Sequence, residues 1–62
     1  MTVNHYKVYY RSGLGSPVNI YTSDDTTAAK LALAEYRRTQ TAMDMFPLEF
    51  VIDHTELVKE GV

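Results

Sequence analysis

One stretch of this chain is built for a helix, and the residues on both sides of it are built for strands. From Ala28 to Arg38 the sequence is rich in Ala and Leu and holds neither Gly nor Pro, the strongest run of helix formers in the chain. Just ahead of it, Ser23 is placed to act as N-cap, its hydroxyl accepting an orphan amide hydrogen of the first turn. Asp24 and Asp25 put negative charge at the positive end of the helix dipole. At about 100° per residue, Ala29, Ala32, Leu33, Tyr36 and Met43 share one apolar stripe, with Ala28 at its border. Lys30, Leu31 and Arg37 fall off that stripe, so Leu31 is expected on the solvent side. Pro47 pushes Phe46 out of the α region, and the helix is expected to end between Gln40 and Met45.

The flanking runs alternate. Residues 5–11, His-Tyr-Lys-Val-Tyr-Tyr-Arg, are aromatic and β-branched, which predicts a strand. Two glycines and a proline within 12–17 punctuate a turn. Val18 to Thr22 then alternates cleanly, so the two runs read as a β-hairpin. After the helix, residues 48–53 form a third alternating run, with Leu48, Phe50 and Ile52 expected inward and Glu49, Val51 and Asp53 outward. The tail, His54 to Val62, is compatible with a longer strand or with one helical turn.

Three short strands and one helix in the order β-β-α-β hide their apolar stripes most simply as an α+β fold of two layers. A right-handed crossover makes the second and third strands parallel and not adjacent. The third strand then lies beside the first, and the sheet is antiparallel in the order 2-1-3. The expected core is Tyr6, Val8, Tyr10, Val18, Ile20, Ala29, Ala32, Leu33, Tyr36, Leu48, Phe50 and Ile52. The opposite sheet face is left uncovered and carries His5, Lys7, Tyr9, Arg11, Asn19, Tyr21, Glu49, Val51 and Asp53. Antiparallel pairing of the first and third strands brings Lys7 and Arg11 toward Glu49 and Asp53, a mildly favourable juxtaposition of opposite charges.

With 62 residues, the expectation is a single domain spanning 1–62 and a modest core, since so short a chain buries only about 60% of the surface its unfolded form exposes. There is no cysteine, so disulfides and thiolate chemistry are excluded. A reducing, cytoplasmic setting suits such a chain. The Met1 start has no basic or apolar signal region, and no apolar run approaches the roughly 18 residues of a membrane span. Charge is uneven: residues 1–38 hold five Lys or Arg against three Asp or Glu, while residues 39–62 hold one against five.

The inventory for catalysis is thin. His5 and His54 are the two histidines, and neither is spaced with a nucleophile and an orienting acid. Asp24-Asp25 is explained by helix initiation. Asp53-His54-Thr55-Glu56 offers three metal-capable side chains but lacks the ligand spacing of a structural zinc site. Gly13-Leu14-Gly15-Ser16 leads into Pro17 and a strand, whereas a phosphate loop leads into a helix N-terminus. The chain is therefore expected to be no enzyme and to need no metal or cofactor.

Two surfaces remain as candidates. The open sheet face groups Tyr9 and Tyr21 with Lys7, Arg11 and Asn19, a pattern that single-stranded nucleic-acid binders use for stacking. The net charge of −2 argues against it, because nucleic acid favours a basic footprint. The acidic surface from Asp44 through Glu49, Asp53 and Glu56 to Glu60, with Leu31 and Leu14 exposed elsewhere and Tyr21 as a further contact, instead suits a basic protein partner. A homodimer burying two open faces or edges is a third arrangement, since so small a core gains from association.

The runs KVYYRSG, VNIYTSDDTTAAKLALAEY and LEFVID together resemble small bacteriophage-encoded host-modulating proteins. That resemblance implies a non-enzymatic module that binds a host protein in the host cytoplasm and blocks it. It spans the chain without a signature motif, and it assigns no residue a role.

Overall fold

A computed structural model describes residues 2–39 and 47–62. Strand β1 (Asn4–Tyr10) and strand β2 (Val18–Thr22) are followed by helix α1 (Asp25–Thr39), a single helical turn α2 (Leu48–Val51) and strand β3 (Ile52–Lys59). The sheet is antiparallel in the order β2-β1-β3. With α1 packed on one face, this is the β-β-α-β architecture that the alternation and helix signals predict. Asp44, Met43 and the expected helix end between Gln40 and Met45 lie outside the described residues.

The hairpin turn closes where Leu14 N–H donates to the Arg11 carbonyl at 3.0 Å. Gly13 sits there at φ 85°, a left-handed conformation that a residue with a Cβ adopts only at a cost. At the helix start, the cap is Asp24 rather than Ser23. Its carboxylate accepts from Thr27 N–H at 3.1 Å and from the Thr27 hydroxyl at 2.7 Å, while the Ser23 hydroxyl turns to Asp24 at 3.4 Å. The cap belongs to the residue just before the first helical one, and α1 begins one residue later than a Ser23 cap requires.

The core joins Tyr6 and Val8 of β1 to Ala28, Ala29, Ala32, Leu33 and Tyr36 of α1 and to Val51 and Ile52. Tyr10, Leu14, Val18, Ile20 and Leu48 pack against it, partly buried. Three buried alanines, Ala28, Ala29 and Ala32, let the helix lie close to the sheet. Tyr10 ties the layers together, its hydroxyl donating to the Ala32 carbonyl at 2.9 Å. Leu31 is exposed, as the helical spacing requires.

The third apolar run departs from its expected form. Pro47, at φ −68°, opens a helical turn in which Phe50 N–H donates to the Pro47 carbonyl at 3.0 Å. A turn replaces the period of two with one near 3.6, so Leu48 and Val51 point the same way and Phe50 points out. Val51 is fully buried and Phe50 is 59% exposed, the reverse of the strand reading for both residues. The strand proper begins at Ile52 and continues through most of the tail.

Two irregularities keep β3 in phase with the core. Tyr10 pairs with Ile52 and Tyr9 with His54, which leaves Asp53 out of the ladder. Likewise Tyr6 pairs with Leu57 and His5 with Lys59, which leaves out Val58. Each is a bulge, one extra residue on the strand opposite β1. Ile52, Thr55 and Leu57 thereby share the α1 side with Tyr10, Val8 and Tyr6, while His54, Glu56 and Lys59 share the open side. Past the strand, Gly61 at φ 70° turns the chain so that Val62 N–H reaches the Val3 carbonyl at 2.7 Å.

Candidate functional surface: the open sheet face and the acidic edge

The uncovered face is organised by cross-strand register. His5 lies opposite Tyr21, Lys7 opposite both Asn19 and Glu56, and Tyr9 opposite His54. Two ring pairs result: His5 stacks on Tyr21 at 4.6 Å and Tyr9 on His54 at 4.3 Å between centroids. Lys7 Nζ stands 5.6 Å from the centre of the Tyr9 ring, within cation–π range. His5 Nε2 is 2.9 Å from Asn19 Oδ1. The two histidine stacks are legible only once the register is known, because each partner comes from a different strand.

Carboxylates hold the far end of this face. Tyr9 donates its hydroxyl to Glu56 Oε1 at 2.9 Å, and that hydrogen bond, with the nearby negative charge, raises the Tyr9 phenol above its ordinary 10.0. Arg11 Nε donates to the Glu49 carbonyl at 2.7 Å, and its guanidinium lies 3.5 Å from Asp53 Oδ1. His54 Nδ1 is 2.6 Å from Asp53 Oδ2. Opposite charges thus meet across β1 and β3, but Lys7 faces Glu56 rather than Glu49, because β3 starts four residues later than a strand over 48–53 would.

Glu49, Asp53, Glu56 and Glu60 are all exposed along β3 and its flanks, and Lys59 is the one Lys or Arg in 47–62. Among the described residues β3 pairs only with β1, which leaves its other side as a sheet edge. Asp53 is the bulged residue near the start of this edge and carries its carboxylate beside the Arg11 guanidinium. Among the described residues, no group of three or more His, Asp and Glu side chains is arranged to hold a metal ion. His5 lies at the opposite end of β1 from His54, so it does not join the Asp53-His54 pair.

Two concave regions flank the sheet. One, of about 410 Å³, opens between the start of α1, α2 and β3, with Ala29, Leu48 and Ile52 as its apolar lining and Asp25, Glu49, Asp53 and Arg11 around them. The other, of about 550 Å³, runs between β2 and α1 and brings together Tyr21 and Leu31, with Val18, Ile20 and Glu35. Tyr21 and Leu31 therefore line one hollow, and Glu49 and Asp53 line the other. No described helix is long and apolar enough to cross a membrane. No protein-family model matches the chain, and no curated protein or solved structure shows a significant match to it.

Proposed function

We propose that the chain is a non-enzymatic protein-binding module whose working surface is the acidic β3 side, and that its partner is a basic protein of the kind that holds nucleic acid. The observation that carries this reading is the clustering of Glu49, Asp53, Glu56 and Glu60, all exposed, on one edge strand and its flanks. Spaced carboxylates present negative charge to a groove made for phosphates, and complementary charge of this kind acts chiefly on the rate of encounter. The likeness to small phage proteins makes a host protein the expected target, bound and blocked in the cytoplasm.

The rival use of the open face, stacking of nucleic-acid bases on Tyr9 and Tyr21 beside Lys7 and Arg11, is less favoured for a geometric reason. Tyr9 is bonded to Glu56 and Arg11 sits against Asp53. A phosphate approaching either residue meets a carboxylate first.

The test is a salt titration of binding to the protein captured from a host lysate. Affinity is expected to fall steeply as salt rises, because exposed charges are screened beyond about 8–10 Å. Reversing Glu49, Asp53 and Glu56 to Lys should slow association and leave the fold intact. If affinity is flat with salt and collapses instead on Leu31→Ala or Tyr21→Ala, the groove beside β2 is the contact and the acidic reading fails.

A further inference from the structure

We infer that the cavity between the start of α1, α2 and β3 is a socket for one lysine or arginine side chain of the basic partner. The inference rests on the reading of the acidic side as the working surface and deepens it, by naming where one cation is held.

This hollow, of about 410 Å³ and open to solvent, combines an apolar floor with an anionic rim. Its floor is apolar: Ala29 and Ile52 belong to the buried core, and Leu48 packs against it. Its rim is anionic, with Asp25 from α1, Glu49 from α2 and Asp53 from β3 all exposed around the opening. Long cationic side chains match this pairing, because they bury a methylene stem on apolar surface while the charged head stays among polar groups. Inorganic anions are disfavoured by three carboxylates against the guanidinium of Arg11 and the imidazole of His54, both of which already meet Asp53. A bare metal ion would gain nothing from the floor.

The internal bonding of the rim leaves capacity for such a guest. Arg11 is committed to the Glu49 carbonyl and to Asp53, and Asp53 also meets His54. Among the described residues, neither Asp25 nor Glu49 forms an ion pair. The Asp25 carboxylate accepts only a long 3.5 Å bond from the neighbouring Thr26 hydroxyl. Two carboxylates on two different elements thus face one opening, and a guanidinium or ammonium between them gains charge-assisted hydrogen bonds. Arg11 occupies the adjoining wall and already satisfies Asp53, which directs an incoming cation toward Asp25 and Glu49.

The experiment is an amide-resolved NMR titration of the full chain with three blocked tripeptides, N-acetyl-Gly-Xaa-Gly-amide, where Xaa is arginine, lysine or the neutral arginine isostere citrulline. A saturable shift centred on Ala29, Leu48 and Ile52 is expected with arginine or lysine and not with citrulline, and the stronger of the two cations identifies the guest. Asp25→Asn combined with Glu49→Gln should weaken that binding roughly tenfold, with the rest of the spectrum unchanged because both side chains are exposed. Glu56→Gln combined with Glu60→Gln should leave it as it was. Equal binding of citrulline, or no saturable shift at the floor residues, overturns the socket. Shifts confined to Glu56 and Glu60 overturn it too, yet leave the acidic surface standing. The salt titration with the captured partner judges that surface separately.

Discussion

Phe50 and Val51 are adjacent and apolar, yet one points to solvent and the other into the core. The difference follows from a single helical turn after Pro47. Val51→Ala should cost about 1–3 kcal/mol, the loss of transfer energy plus a small cavity, whereas Phe50→Ala should change stability by no more than about 0.5 kcal/mol. Urea denaturation of the two variants checks this, and a larger loss for Phe50→Ala would mean that the turn is not formed. Asp24 supplies the second test at this scale. Hydrogen bonds from the Thr27 hydroxyl and then the Thr27 amide hold its carboxyl below the ordinary 3.8. A carboxyl lowered on folding stabilises the native state fully above its unfolded value and loses that contribution as pH falls toward the folded one. Asn caps a helix about as well as Asp, so Asp24→Asn should keep the fold at neutral pH. The fall in urea midpoint between about pH 5 and about pH 2 should become shallower in that variant. An unchanged acid slope would show that Asp24 is not the capping carboxylate.

Among the elements, α1 and the hairpin were legible from sequence because each repeats one period without interruption. The third run was not. Leu48, Glu49, Phe50, Val51 and Ile52 contain apolar residues at spacings of two and of three, so strand and turn both fit a run this short. Only the packing of Val51 under the sheet, with its carbonyl accepting from Arg11 N–H at 2.9 Å, selects the turn. The bulges at Asp53 and Val58 were equally hidden, since pairing register is a property of two strands. The late start of β3 and the bulge at Asp53 bring Glu56, rather than Glu49, opposite Lys7. Of the acidic surface, the charge was visible in the sequence but the cavity was not, because its walls come from three elements. A pH titration of tyrosine absorbance tests the β1–β3 register directly. Glu56→Gln should lower the highest-titrating phenols by replacing with a neutral amide the anionic acceptor that raises Tyr9 above 10.0. No change would mean that Tyr9 and Glu56 are not partners.

At the scale of the whole molecule, neither outer strand has a second partner among the described residues, and each carries a feature that discourages pairing with another sheet. β2 is short, five residues. β3 is bulged twice and lined with charged side chains. Natural proteins protect edges in these ways. The isolated protein is therefore expected to sediment as a monomer, with a melting midpoint independent of concentration, since mass action would otherwise raise it. A midpoint that climbs with concentration would favour the homodimer and remove the edge as a free surface.

Along the chain the sheet's central strand precedes both of its neighbours, and one of them follows only after α1 and α2. β1 begins at Asn4, while the strand that completes its hydrogen bonding ends at Lys59. During synthesis the hairpin and α1 leave the ribosome with one side of β1 unpaired and with Val51 and Ile52 still missing from the apolar layer. Folding that depends on so distant a pairing pays its loop-closure entropy before any reward. A chain cut after Pro47 should accordingly be open to protease, whereas the chain that carries β3 through Lys59 should resist it.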